Sequence, residues 1–134
     1  MGTVGRRLVR ASLVVGSSMA LVTAVAGTAT AATPRNGTCE TGEFCLYWGT
    51  VYSGSVSDFN GSVPDYGSSQ PTCYEFKGPG SGKGTCVKNN AGSARNKTTG
   101  HTVRVYYNGG SYTLAAGTSL VLSNRNTSHT FIKN

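Results

Sequence analysis

The sequence is short of the residues that most often carry catalysis. It has two histidines, His101 and His129, and five carboxylates, the last of them Glu75. His101 falls in the polar turn Thr99-Gly100-His101-Thr102, and His129 follows an Asn/Ser turn. There is no H-E-x-x-H and no nucleophile elbow. Asp58 and Asp65 lie seven apart, one on an expected strand and one in an expected loop, and read as solvated turn residues rather than a catalytic pair. Four cysteines leave no free thiol once two bridges form, so an enzyme is not expected. Helix signals are almost absent after Ala32, where Gly, Ser, Thr and Asn dominate, and this excludes a helical fold. Beyond the N-terminus no apolar run approaches the ~20 residues a membrane span needs.

What is present begins with an export pattern. Arg6, Arg7 and Arg10 form a basic start, an apolar stretch runs from Leu8 to Ala26, and Ala29-Thr30-Ala31-Ala32 offers small side chains. These are the parts of a secretory signal. Residues 1–32 are expected to be a signal peptide, cut after Ala31 or Ala32. A membrane anchor is the alternative, disfavoured because Gly, Ser, Ala and Thr dilute the stretch. The paired arginines lack a fuller twin-arginine context, and no cysteine at the cut invites a lipid. The expected location is extracellular.

The remaining chain of roughly 100 residues is one domain. Such a domain buries a modest core and gains from staples. Cys39, Cys45, Cys73 and Cys86 allow three connectivities, and sequence neighbourhood favours Cys39–Cys45 and Cys73–Cys86. In the chain-entropy model each contributes on the order of 2 to 3 kcal/mol. With no C-x-x-C and no histidine among the cysteines, a zinc site is not expected. Charge is segregated. All five acids lie between Thr33 and Glu75 beside Arg35 alone, while the chain beyond carries bases and no acid. This reads as a solvated basic face. Dispersed bases on an exported protein do not suit nucleic acid, and no membrane contact is expected once the signal is cut.

Short apolar runs separated by turns predict an all-β sandwich or barrel. Expected strands are 44–48, 56–59, 73–76, 85–88, 102–107, 111–114, 119–122 and 130–132. Residues 33–38 are expected to be a loose tail, 39–134 the domain, and 64–71 a surface loop. A weak internal repeat aligns Val87-Lys88-Asn89-Asn90-Ala91-Gly92-Ser93-Ala94 with Leu122-Ser123-Asn124-Arg125-Asn126-Thr127-Ser128-His129. Each is preceded by an aromatic pair five apart, Tyr47 with Tyr52 and Tyr107 with Tyr112. The order aromatic hairpin, strands, Asn/Ser turn suggests two related Greek-key units.

Tyr47-Trp48-Gly49-Thr50-Val51-Tyr52-Ser53-Gly54 resembles the signature hairpin of βγ-crystallin Greek keys. Two aromatics can pack over a folded hairpin, and Gly54 can adopt a positive φ. The resemblance implies a βγ-crystallin-like β-sandwich in which Ser93 bonds back to the hairpin. In the second unit Tyr107 and Tyr112 fit, but Leu114 stands where glycine is expected. Cys39-Glu40-Thr41-Gly42-Glu43-Phe44-Cys45-Leu46-Tyr47, with Ser93-Ala94-Arg95-Asn96, Val103 to Tyr107 and Ala115-Ala116-Gly117, resembles the streptomycete metalloproteinase-inhibitor family (inhibitor family thirty-six). That resemblance implies a monomeric secreted inhibitor of extracellular proteases, acting through a rigid loop. The characterised type closes that loop with a disulfide in its second unit, whereas no cysteine follows Cys86 here. Thr85-Cys86-Val87-Lys88 is the candidate substitute loop.

Related crystallin modules also bind Ca²⁺ through Asn/Asp and Ser/Thr segments. Asn89, Asn90 and Ser93, with Asn124 and Ser128, are the candidate ligands. They bring no carboxylate, and Arg125 would repel the ion, so structural turn chemistry competes with calcium. The alternative function is therefore a crystallin-like structural or Ca²⁺-binding module at the cell surface, and no other cofactor is expected. Trp48 could stack on a sugar ring or simply cover the hairpin. Asn36, Asn60, Asn96 and Asn126 head glycosylation sequons, which matter only in a host that glycosylates.

Overall fold

The computed structural model describes residues 31–134. The expected export signal falls almost wholly outside the described residues. Seven strands and no helix are found among them: β1 (Phe44–Tyr47), β2 (Val56–Phe59), β3 (Ser93–Asn96), β4 (His101–Tyr107), β5 (Gly110–Leu114), β6 (Ser119–Val121) and β7 (Ser128–Lys133). They form two antiparallel sheets, ordered β2-β1-β3-β6 and β5-β4-β7.

Alternation decides what each sheet buries. On the first sheet, Phe44, Leu46, Phe59 and Ala94 point one way and meet Val103, Val105 and Leu114 from the second. Phe44 lies at the centre, its ring 4.8 Å from His129 and 6.4 Å from Phe131. Burying each such side chain stabilises by roughly 1.5–3 kcal/mol. The other face of the first sheet carries Cys45, Tyr47 and Val56, covered by Tyr52 and Cys39.

The two halves of the chain interlock. β6, from the second half, pairs with β3 of the first. In return Val63 bridges His129 on β7, with N–H···O bonds of 2.9 and 3.0 Å. Each unit thus lends its third strand position to the other unit's sheet, so neither sheet is complete without both.

Four expectations differ from the structure. Segments 73–76 and 85–88 are not strands; they meet at a single bridge, Glu75 with Cys86. Ser93–Asn96 is not among the strands expected from the sequence. It is instead a central strand whose polar groups are satisfied. Asn96 Nδ2 donates to the carbonyls of His101 and Leu114, and its Oδ1 accepts from Thr98. Residues 33–38 are not loose. Arg35 donates to Ser57 Oγ and to the carbonyls of Asp58 (3.2 Å) and Glu75 (2.8 Å), with its guanidinium 4.4 Å from the Phe59 ring centre. Asp58 accepts from the backbone N–H groups of Asn36 and Gly37. Asp58 is fully buried, not a solvated turn residue.

Candidate functional site

The first-unit hairpin is a folded turn between Tyr47 and Val56, which are paired across β1 and β2. Tyr52 and Gly54 both take positive φ (48° and 76°) to close it. The Tyr47 and Tyr52 rings meet edge to face at 6.0 Å, and Arg95 lies 4.5 Å above the Tyr52 ring. Ser93 pins the turn from β3: its Oγ accepts from Tyr52 N–H (3.0 Å) and donates to the Gly49 carbonyl (2.6 Å).

Tyr107 and Tyr112 belong to a different object. Tyr107 pairs directly with Gly110, so the connection is the two residues Asn108 and Gly109. Tyr112 therefore sits on β5, opposite Val105, and its ring packs diagonally on Tyr107 at 4.8 Å. Gly109 (φ 101°) permits the tight turn, and Gly110 makes room for the Tyr107 ring. An aromatic pair five apart thus marks a folded turn in one unit and a plain hairpin in the other.

Two disulfides are present, Cys39–Cys45 and Cys73–Cys86. The second closes an arch. At its feet Phe76 N–H bonds Thr85 and Gly84 N–H bonds Phe76; along it Gly78 bonds Val56, and Ser81 accepts from Ser55. Lys77, Pro79, Gly80, Ser81, Lys83 and Gly84 are exposed. The candidate loop Thr85-Cys86-Val87-Lys88 is not the projecting part of this arch. Val87 is fully buried in the core and bonds Tyr74, while Lys88 pairs with Asp65 at 3.1 Å. A segment whose apolar residue faces inward cannot offer that residue to a protease.

The repeated Asn/Ser turns meet each other. Asn89 and Asn124 both have positive φ (56° and 59°), as Asn tolerates. Asn89 N–H donates to the Asn126 carbonyl (2.7 Å), and Asn124 N–H donates to the Ala91 carbonyl (3.0 Å). Asn126, buried, donates to the Val87 carbonyl and accepts from Ala91 N–H. The turns border a groove of about 350 Å³ lined by Trp48, Gly49, Thr50, Asn90 and Asn124. Of the five candidate calcium ligands, only Asn90 and Asn124 line it. Ser93 oxygen is engaged with the hairpin, Ser128 is on β7 opposite Tyr106, and Asn89 is exposed beside the groove. No group of three His, Cys, Asp or Glu able to hold a metal exists among the described residues.

Glu43 and His129 are buried titratable groups that the local sequence pattern does not reveal. Glu43 is fully buried; its Oε2 accepts from Glu40 N–H, and its Oε1 has no partner among the described residues. Burial first, then neighbouring Asp58 and Glu40, push its carboxyl up to about 7. His129 is buried between Tyr66 and Gly61, both at 2.7 Å. A carbonyl only accepts, so Nε2 carries the proton toward Gly61 and Nδ1 accepts from Tyr66 O–H. Burial lowers its pKa to about 4. The His101 ring lies tilted against Phe131, 5.6 Å between centres. Alternation and turn signals could not reveal these roles, because each depends on segments distant in sequence.

No match to this sequence was found among curated proteins. A solved chain from a structure named "Evolution of the eye lens beta-gamma-crystallin domain fold" is similar to it, at 13% identity and a TM-score of 0.51. The likeness covers 77% of this chain and 93% of that one, and it shows the fold: two interlocked Greek keys. The model of peptidase inhibitor family I36 matches residues 32–119, taking in both disulfides, the folded hairpin and the arch, so the chain belongs to peptidase inhibitor family I36.

Proposed function

We propose that this protein is exported and inhibits an extracellular protease of the metalloprotease class, using the arch from Lys77 to Gly84 as its contact. The family match over residues 32–119 carries the inhibitor reading. The arch replaces Thr85–Lys88 in that reading on physical grounds. It is closed by Cys73–Cys86, held by backbone bonds, and exposes Lys83 near its end. A preorganised segment loses little conformational freedom on binding, which favours affinity. The basic second half favours an acidic surface on the partner.

The test is a titration of the domain starting near Thr33 against a thermolysin-like and a subtilisin-like protease. Stoichiometric inhibition of the metalloprotease is expected, with about tenfold weakening in Lys83→Glu. Absence of inhibition of both enzymes at micromolar concentrations would refute the proposal.

A further inference from the structure

We infer that the groove beside the folded hairpin is a carbohydrate subsite, taking a neutral pyranose ring on Trp48 with hydrogen bonds from Thr50, Asn90 and Asn124. This does not rest on the inhibitor reading.

Three observations carry it. First, Trp48 is a fixed platform. A Cβ built on Gly82 would lie 2.3 to 2.5 Å from the indole, so the Gly82 backbone is seated against the ring. Phe76 meets it edge-on at 5.7 Å. Yet Trp48 is still 37% exposed and lines the groove. A large aromatic held by these contacts and still partly exposed to the groove offers stacking area with its rotamer already fixed. Second, the polar groups around it have spare hydrogen-bonding capacity. Asn90 uses one amide hydrogen on the Cys86 carbonyl and keeps its oxygen for a ligand. Thr50 and Asn124 are exposed, and their side chains have no bond to other described residues. A hydroxyl and two amides are suited to sugar hydroxyls, since each can both donate and accept. Third, no charged residue lines the groove. Arg125, next in sequence, is turned away and sits 5.7 Å from the Tyr107 ring. The lining thus fits a neutral ring better than an anion or a cation.

The position also fits a polymer. The groove is open, and it lies where the two units' Asn turns join, so its floor is fixed by bonds from both halves. A linear chain could cross it with one ring on the indole.

Trp48 is the single tryptophan, so its fluorescence reports on the site directly. The protein is titrated with the β-1,4-linked tetramer of N-acetylglucosamine and, in a second arm, with the glucose tetramer. A saturable change in emission with at least one of them is expected, in the millimolar range or tighter. Thr50→Ala and Asn124→Ala are each expected to weaken binding about tenfold, with thermal melting unchanged in the first and somewhat lowered in the second, because Ala is strained at the positive φ of Asn124. Trp48→Phe, followed by calorimetry, is expected to weaken it while keeping the fold. The inference is overturned if neither tetramer alters emission at about 10 mM, or if binding survives Thr50→Ala and Asn124→Ala undiminished. Lys83→Glu, the arch variant, should leave sugar binding intact, so failure of one reading is distinguishable from failure of the other.

Discussion

The two Greek-key units share one plan and hold it by different means. The first has a turn running from Tyr47 to Val56, bent over the sheet and pinned by Ser93, with both disulfides attached. The second turns in two residues between Tyr107 and Gly110 and relies on strand pairing and a Tyr–Tyr contact. Even the buried titratable groups differ: the carboxyls of Glu43 and Asp58 and the Tyr66 phenol in the first unit, a histidine in the second. A long turn needs clamps because it has many conformations to lose. A tight turn needs only residues that tolerate its dihedrals.

The largest effect that tests this contrast is removal of a staple. Replacing Cys73 and Cys86 together by alanine should cost about 3 kcal/mol by the loop-entropy account, read as a lower denaturant midpoint. It should also loosen the arch, so that hydrogen exchange rises there and not at Asn108–Gly109. Equal loosening in both units would erase the distinction.

Next comes the dependence on pH, where the units oppose each other. Glu43, with a folded pKa of about 7 against an ordinary 4.5, binds a proton more tightly when folded. Its contribution is present below pH 4.5 and is lost as pH rises through 7. His129, at about 4 against 6.5, binds a proton less tightly when folded. Its contribution is present above pH 6.5 and is lost as pH falls through 4. Each is worth on the order of 2 to 3 kcal/mol. Between pH 4.5 and 6.5 the two slopes largely cancel, so the unaltered protein should have nearly constant stability. Glu43→Gln should unmask a rise in stability with pH across that window, and His129→Gln a fall. Denaturation at four or five pH values decides this; parallel curves for all three proteins would count against it.

Smaller still is the serine comparison. Ser93→Ala leaves Tyr52 N–H and the Gly49 carbonyl without their partner and should cost about 1–2 kcal/mol. Ser128→Ala, at the repeat-equivalent position on β7, should change stability by less than about 0.5 kcal/mol. The smallest expected effect is that of calcium. With only Asn90 and Asn124 gathered at the groove and no carboxylate there, 1 mM Ca²⁺, as an order-of-magnitude choice, should leave the melting temperature within about 1 °C. A clear upward shift would show that the repeated turns do hold the ion.

Much of the fold was legible in local pattern. Val103 and Val105 alternate as a half-buried strand must, and Gly54 stood where a positive φ was required. The repeat of Asn89 with Asn124 was visible as letters and proved to be a match in backbone conformation. What local pattern could not carry was polarity satisfied at long range. Ser93, Asn96 and Asp58 resemble surface residues in sequence, yet all three are buried with partners many residues away. The inward direction of Val87 in the candidate loop was hidden for the reverse reason. Cysteine bracing in Thr85–Lys88 was readable, but the direction of Val87 depended on its bond to Tyr74.

Arg35 has a consequence for where this domain can be cut. Its guanidinium and the segment around Lys77 occupy the outward carbonyls of β2, namely Asp58 and Val56. A domain trimmed to begin at Cys39 would lose the Arg35 part of that cover, baring the Asp58 end of the strand, and would leave the Asp58 carboxylate without the backbone donors of Asn36 and Gly37. The bared strand would then be a template on which a second molecule could add its own, turning a solitary domain into the seed of an intermolecular sheet.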